Sequence, residues 1–198
     1  GWPLGLEEGD FDAVVWVGQH AMSRTPLSNM AHTQSCQVLE LSVNGVAVGE
    51  FGQLALCASQ LQVRCIFAAG ERALATEAEQ LIPGIETVYV KRGNKPGRGD
   101  ECSYEDYVLR NGGAVHMQPM RARQLIREGA ERAVRRALVE DFGIIALQPP
   151  FRKVLTLRVS KDEPRRFQID EDPDDVCRLM GKPQSHLQPI ENDEQLRE

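Results

Sequence analysis

The sequence predicts an α/β fold: a partly parallel sheet with flanking helices and a β-hairpin. Three observations lead there. Short β-branched runs alternate with helical stretches of about a dozen residues. Asn44-Gly45 joins two period-two runs, a strong short-range hairpin signal. The 198 residues are 41% hydrophobic and 26% charged, ordinary globular usage with enough apolar material for a real core.

Taken in order, Asp12 to Val17 reads as a buried strand, closed by Gly18, and a polar loop carrying His20 and His32 follows. Leu39 to Val43 alternates and returns through Val46 to Val48, a ribbon ending at Gly49-Glu50. Leu54, Cys57, Ala58 and Leu61 recur at helical spacing, and Val63 to Ala68 forms a second apolar strand. Leu74, Ala78, Leu81 and Ile82 mark a helix stopped by Pro83-Gly84, and Ile85 to Val90 is a third strand. A Gly-rich loop from Gly93 to Asp100 lacks the Gly-Lys-Ser/Thr of a phosphate-cradling loop, and a short helix is expected from Tyr104 to Leu109. The longest helix should run from Pro119 towards Phe142, with Leu125, Gly129, Ala133 and Ala137 on one face. Its arginines read as a solvated face laced by Glu128–Arg132 and Glu131–Arg135 pairs. Val154 to Arg158 is expected to close the folded part as a last strand.

Charge divides the chain. Residues 161–198 hold eleven acids against six bases and so carry most of the net −6. That composition, with few apolar groups, predicts a disordered or loosely docked tail after a domain spanning 1–160. A near-neutral body offers little long-range attraction to phosphate backbones or anionic membranes, so nucleic acid and membrane partners are not expected. No apolar run exceeds that of Ala13 to Val17, far below the roughly 20 residues of a membrane span, and the acidic opening does not read as a signal peptide. Five irregularly spaced cysteines without a C-x-x-C pair suit reduced thiols in the cytoplasm.

For chemistry, His20 falls just beyond the carboxyl end of the first strand, where open α/β sheets place their ligand sites. Imidazole there can ligate zinc or act as a base, and Glu50, heading the next helix, can ligate a metal or simply complement the helix terminus. His32 stands in a loop of small and polar residues. His116 and His186 have no acidic or thiol neighbour at ligand spacing and read as structural or surface residues. No H-E-x-x-H, C-x-x-C or G-x-S-x-G motif is present.

Several runs in a fixed order carry more: Gly18-Gln19-His20-Ala21, Thr25-Pro26, His32-Thr33, Val43-Asn44-Gly45 and Val48-Gly49-Glu50. Phe67-Ala68-Ala69-Gly70-Glu71, Glu77 to Pro83 and Val90-Lys91 then follow. Together they resemble the DppA-like D-aminopeptidase family of zinc metallopeptidases, closely over residues 12–92 and more loosely to Val154. The resemblance implies that His20 and Glu50 are metal ligands, that His32 is the catalytic histidine, and that zinc is the cofactor. It also implies hydrolysis of short peptides with an N-terminal D-amino acid, in ring-shaped homo-oligomers. The family's Asp-x-Glu-Gly segment and a further histidine are not found, which leads us to expect a domain truncated at its amino side with a site only partly encoded. Glu71 and Met22 stand where the family carries Asp and Arg. The competing expectation is a non-catalytic assembly or binding domain that has lost its metal.

Overall fold

The computed structural model of the chain describes residues 2–191 and 195. In chain order, β1 (Ala13–Gln19), β2 (Val38–Val43) and β3 (Val46–Ala47) precede α1 (Glu50–Gln60), β4 (Arg64–Glu71), α2 (Arg72–Leu81) and β5 (Glu86–Gly93). There follow α3 (Tyr104–Arg110), β6 (Ala114–His116), α4 (Pro119–Ala137), β7 (Phe151–Leu157), β8 (Arg166–Asp172), α5 (Val176–Met180) and β9 (Gln188–Pro189). Among the described residues these strands form two sheets.

The first sheet has the order β1-β4-β5-β6, with β1, β4 and β5 parallel and β6 antiparallel on its edge. Parallel strands need crossover helices, and α1 and α2 supply them. Phe51, Ala55, Leu74 and Ala78 pack on one face with Trp16 and Ala68. On the other face α4 brings Ala133, with Leu125 and Ala137 beside it, against Ile66, Phe67 and Val88. Gly129 lets α4 come this close, because a Cβ there would stand 2.4 Å from Val88 Cγ2.

The second sheet, β3-β2-β7-β8-β9, is antiparallel throughout. It lies over the opposite side of α1, where Leu56 and Cys57 meet Leu41, Val43, Leu155, Val176 and Leu179. Helix α1 is therefore wedged between the sheets, which is why its apolar residues run nearly all round it.

The α/β class, the parallel-containing sheet and the β-hairpin at Asn44-Gly45 agree with expectation; three details go beyond it or depart from it. The ribbon at Asn44-Gly45 belongs to this larger antiparallel sheet, whose non-local pairings leave no short-range signal. Arg132 binds Glu86 at 2.8 Å rather than Glu128, because β5 brings that carboxylate under the helix, whereas the Glu131–Arg135 pair forms at 2.8 Å.

The third correction concerns the tail. The expectation of a disordered or loosely docked segment after 160 fails for residues 166–180. Strand β8 pairs with β7 from Phe151↔Asp172 to Leu157↔Arg166, and Val176, Leu179 and Met180 are buried. The acids that suggested a solvated tail have partners: Asp170 meets the buried Lys153 at 3.0 Å, and Asp172 meets Arg178 at 2.6 Å. Residues 192–194 and 196–198, the end of that expected tail, lie outside the described residues.

Because Leu179 is fully buried, Leu179→Ala should cost about 2–5 kcal/mol in urea unfolding. A loss below about 0.5 kcal/mol, the level of an uncoupled surface substitution, would show that this segment contributes nothing to the core.

Candidate metal centre

Three side chains from separate stretches meet beyond the carboxyl ends of the parallel strands. Where β1 ends, the β1–β4 register shifts between Val17 and Gln19, and Gly18 accommodates the bulge with φ 88°. His20 follows. Glu50 opens α1 directly after Gly49, whose Cβ, if present, would lie 2.8 Å from Met22 Cβ and 3.0 Å from Glu77 Oε1. Glycine at 49 thus lets the helix start close under the His20 loop.

His20 Nε2 stands 2.9 Å from Glu50 Oε2, and His32 Nε2 stands 3.8 Å from Glu50 Oε1. The two imidazoles stack with centroids 4.0 Å apart and planes 25° from parallel. Each Nδ1 faces a carbonyl, Ala21 O at 3.0 Å for His20 and Met30 O at 2.7 Å for His32. A carbonyl only accepts, so both Nδ1 atoms carry the proton and both Nε2 atoms are turned to Glu50. Gln19 Nε2 donates to Glu50 Oε2 at 3.3 Å and the Gln34 N–H donates to Oε1 at 2.8 Å.

Burial of the His20 ring opposes its charge, but the hydrogen bonds to Glu50 and Ala21 and the nearby Glu50 and Glu71 carboxylates outweigh it, raising its pKa. Burial likewise opposes ionisation of Glu50, yet the His20 hydrogen bond, both imidazoles and the Gln34 N–H hold it below the usual carboxylate range.

His20, His32 and Glu50 have potential ligand atoms all within 4.8 Å of one another. Ligands about 2 Å from one zinc ion lie up to about 4 Å apart, and nitrogen with carboxylate oxygen is a usual zinc donor set. The donor chemistry therefore fits a zinc ion. Sequence reasoning singled out these three residues, and the structure brings them together; His116 and His186 are exposed and outside the cluster.

Two further acids, Glu71 and Glu77, support the site without any role legible in the sequence. Fully buried at the end of β4, Glu71 accepts from Ala21 N at 2.8 Å, from Asn29 N at 2.5 Å and from Ser28 Oγ. Glu77, buried on α2, accepts from Met22 N at 2.8 Å and Gly49 N at 3.3 Å. Together they fasten the loop that follows His20 and the residue before Glu50. The restrained loop is costly in itself: Arg24, Leu27, Met30 and Gln34 all have φ between 55° and 67°. Both acids fall in runs that read as ordinary apolar or amphipathic elements. The available sequence signal was an acid next to the buried stripe of Leu74 and Ala78.

Residues 4–164 match the D-aminopeptidase family, so the chain belongs to that family. Over 93 residues it is 34% identical to the D-aminopeptidase of Bacillus subtilis (strain 168), a stretch covering 46% of this chain and 34% of that relative. Among solved structures it is similar to the Zn-dependent D-aminopeptidase DppA from Bacillus subtilis, described as a self-compartmentalizing protease. The TM-score is 0.63 at 22% identity, covering 86% of this chain and 61% of that one. The chain thus spans about a third of the curated relative and under two thirds of the solved chain.

Burial raises the Glu77 pKa to about 7 despite the two N–H donors. A carboxyl that keeps its proton longer when folded loses stability as pH rises, here from about 4.3, the unfolded value, through about 7, by up to about 3 kcal/mol. In chelator-treated protein, Glu77→Gln should remove that decline, so the variant gains on the parent across the window in urea unfolding. Stability curves that stay parallel across it would show that Glu77 is not so shifted.

Proposed function

We propose that this chain carries part of the site of a zinc-dependent aminopeptidase acting on short peptides with an N-terminal D-amino acid. The observation that carries the proposal is the convergence of His20, Glu50 and His32 at the carboxyl edge of the parallel sheet. His20 and Glu50 hold the metal. His32 is the catalytic histidine. A lone pair lies in the plane of its ring, so near-parallel rings stacked 4.0 Å apart do not aim both Nε2 atoms at one point. The stacking therefore supports one ligating imidazole and one standing beside the metal.

Zinc, when bound, supplies Lewis-acid activation of water and of the peptide carbonyl. The chain's own groups do the rest. His32 Nε2, held by the Nδ1 bond to Met30 O, accepts a proton as the nucleophile attacks and returns it to the departing amine. Glu50 is kept ionised for ligation, and Gln19 and Gln34 orient its two oxygens.

A catalytic zinc normally has three protein ligands plus water. His20 and Glu50 are two, and on this reading the remaining ligands come from outside this chain. The same count favours the second reading, a non-catalytic assembly domain. The chain also assembles with copies of itself: Val134, Leu138 and Val139, in and just after α4, are 51%, 80% and 84% exposed. No described helix is long and apolar enough to cross a membrane, and the five cysteines are free, in keeping with a reducing, cytoplasmic compartment.

The test compares zinc content and hydrolysis of D-alanyl and L-alanyl peptides by the 198-residue chain and by a chain completed with the family's amino-side segment. Weak zinc binding and feeble activity are expected of the first, and D-selective hydrolysis of the second. In the completed chain His32→Ala should lower kcat about 100-fold or more with bound zinc retained. Loss of zinc with activity would make His32 a ligand instead, and an inactive completed chain with full zinc would favour the assembly reading.

A further inference from the structure

Three cations, Arg72, Lys91 and Arg92, gather with the His116 imidazole on the same edge of the parallel sheet as the candidate metal cluster, two strands away from it. An open groove of about 340 Å³ is lined by Arg72 at the head of α2, Tyr89, Lys91 and Arg92 on β5, and Val115 and His116 on β6. Arg72 lies over the Tyr89 ring, 5.9 Å from its centroid, and the ring is 52% exposed. Lys91 Nζ bonds Asn29 Oδ1 at 3.2 Å. Among the described residues none of Arg72, Lys91, Arg92 or His116 forms an ion pair with a carboxylate. By contrast Arg24, Arg132, Arg135, Arg136 and Arg178 pair with carboxylates, and Arg64 and Arg158 donate to backbone carbonyls. In a chain of net charge −6, a concave surface with cations left unneutralised is shaped for an anion.

Its position identifies which anion. Gln19 of β1, Gly70 of β4 and Tyr89 of β5 are register partners and form one row across the sheet. Residues in one row point to the same face. At one end Gln19 reaches Glu50, at the other Tyr89 supports Arg72. A Cβ at Gly70 would lie 2.0 Å from Gln19 O, so glycine there lets β1 and β4 pack closely and brings the two ends of the row together. Two strand spacings of about 4.8 Å separate the ends. An extended peptide advances about 3.5 Å per residue. A tripeptide or tetrapeptide whose first carbonyl sits at the metal cluster would therefore bring its terminal carboxylate within reach of Arg72 and Lys91.

We propose that the groove between α2, β5 and β6 is the subsite for the free C-terminal carboxylate of a tripeptide or tetrapeptide, with Arg72 as its principal partner and Lys91 as the second. Arg72 offers the forked pair of N–H donors that matches a carboxylate, and its guanidinium lies over the Tyr89 ring. The inference rests on the peptidase reading for the owner of the carboxylate, but the binding itself needs no metal.

That independence makes the two readings separable. In chelator-treated protein, N-acetyl-D-Ala-D-Ala-D-Ala and its C-terminal amide are titrated while the amide resonances of residues 89–92 and 115–117 are followed. The acid should shift them, binding about tenfold or more tighter than the amide, and Arg72→Gln should erase the difference, tenfold being the usual worth of one charge-assisted hydrogen bond. Lys91→Gln, tested separately, should reduce the preference in part. With zinc and the completed chain, D-Ala-D-Ala-D-Ala should show a lower KM than its amide, and Arg72→Gln should abolish that gap. Equal binding of acid and amide, or a preference untouched by both variants, would overturn the subsite. Acid-selective shifts in a protein that hydrolyses neither peptide would uphold the groove and sink the peptidase reading instead.

Discussion

The structure around the candidate metal cluster depends on one interaction, the fully buried Glu71 carboxylate at the end of β4 and the donors that surround it. A carboxylate cut off from water must be hydrogen-bonded or protonated. Ala21 N, Asn29 N and Ser28 Oγ, all from the loop after β1, satisfy it. The path of that loop follows from this. It must fold its amides down onto the sheet edge, and in doing so it presents His20 and His32 on its outer side, where their side chains remain about one-fifth exposed. Four left-handed non-glycine residues in the loop are the conformational cost of that path.

Glu50 reaches the same point by another route. Helix α1 is gripped by both sheets, so its first residue has little freedom, and Glu77 on α2 fixes Gly49 just ahead of it. Because Glu77 also accepts from Met22 N, one carboxylate sets the distance between the His20 loop and the start of α1. The antiparallel sheet matters here as the wall behind α1. Further support comes from Arg158 just after β7, whose guanidinium stacks 3.5 Å from the Tyr107 centroid and donates to Ser23 Oγ and Gly99 O. Arg24, in the loop itself, is held by Asp100. The proposed metal ligands are thus placed by the rigid body of the fold, which is what a preorganised site needs.

What the sequence made legible follows the range of the forces involved. The strand at Val14 to Val17, the α2 stripe and the Pro119 start of α4 are local patterns. The ordered runs around His20, His32 and Glu50 pointed to the three residues that converge. The partners were hidden. Glu71 and Glu77 look like ordinary acids in sequence, because nothing local says that the amides of residues 21, 22, 29 and 49 will reach them. Residues 161–198 misled for a related reason. Net charge does not reveal that Lys153 and Arg178 neutralise Asp170 and Asp172 in the folded chain, and Leu179 and Met180 are too few to make a period. The groove at Arg72 and Lys91 is equally non-local, assembled from α2, β5 and β6.

The central proposal is that His20 and Glu50 share one metal ion with His32 beside it, and diffraction recorded on both sides of the zinc absorption edge from zinc-loaded crystals of the completed chain tests it most directly. The account predicts a single strong anomalous peak about 2 Å from His20 Nε2 and from a Glu50 oxygen, the usual zinc–ligand distance, with His32 Nε2 outside bonding range. A peak elsewhere in the molecule, or none at this cluster in zinc-loaded protein, would contradict it.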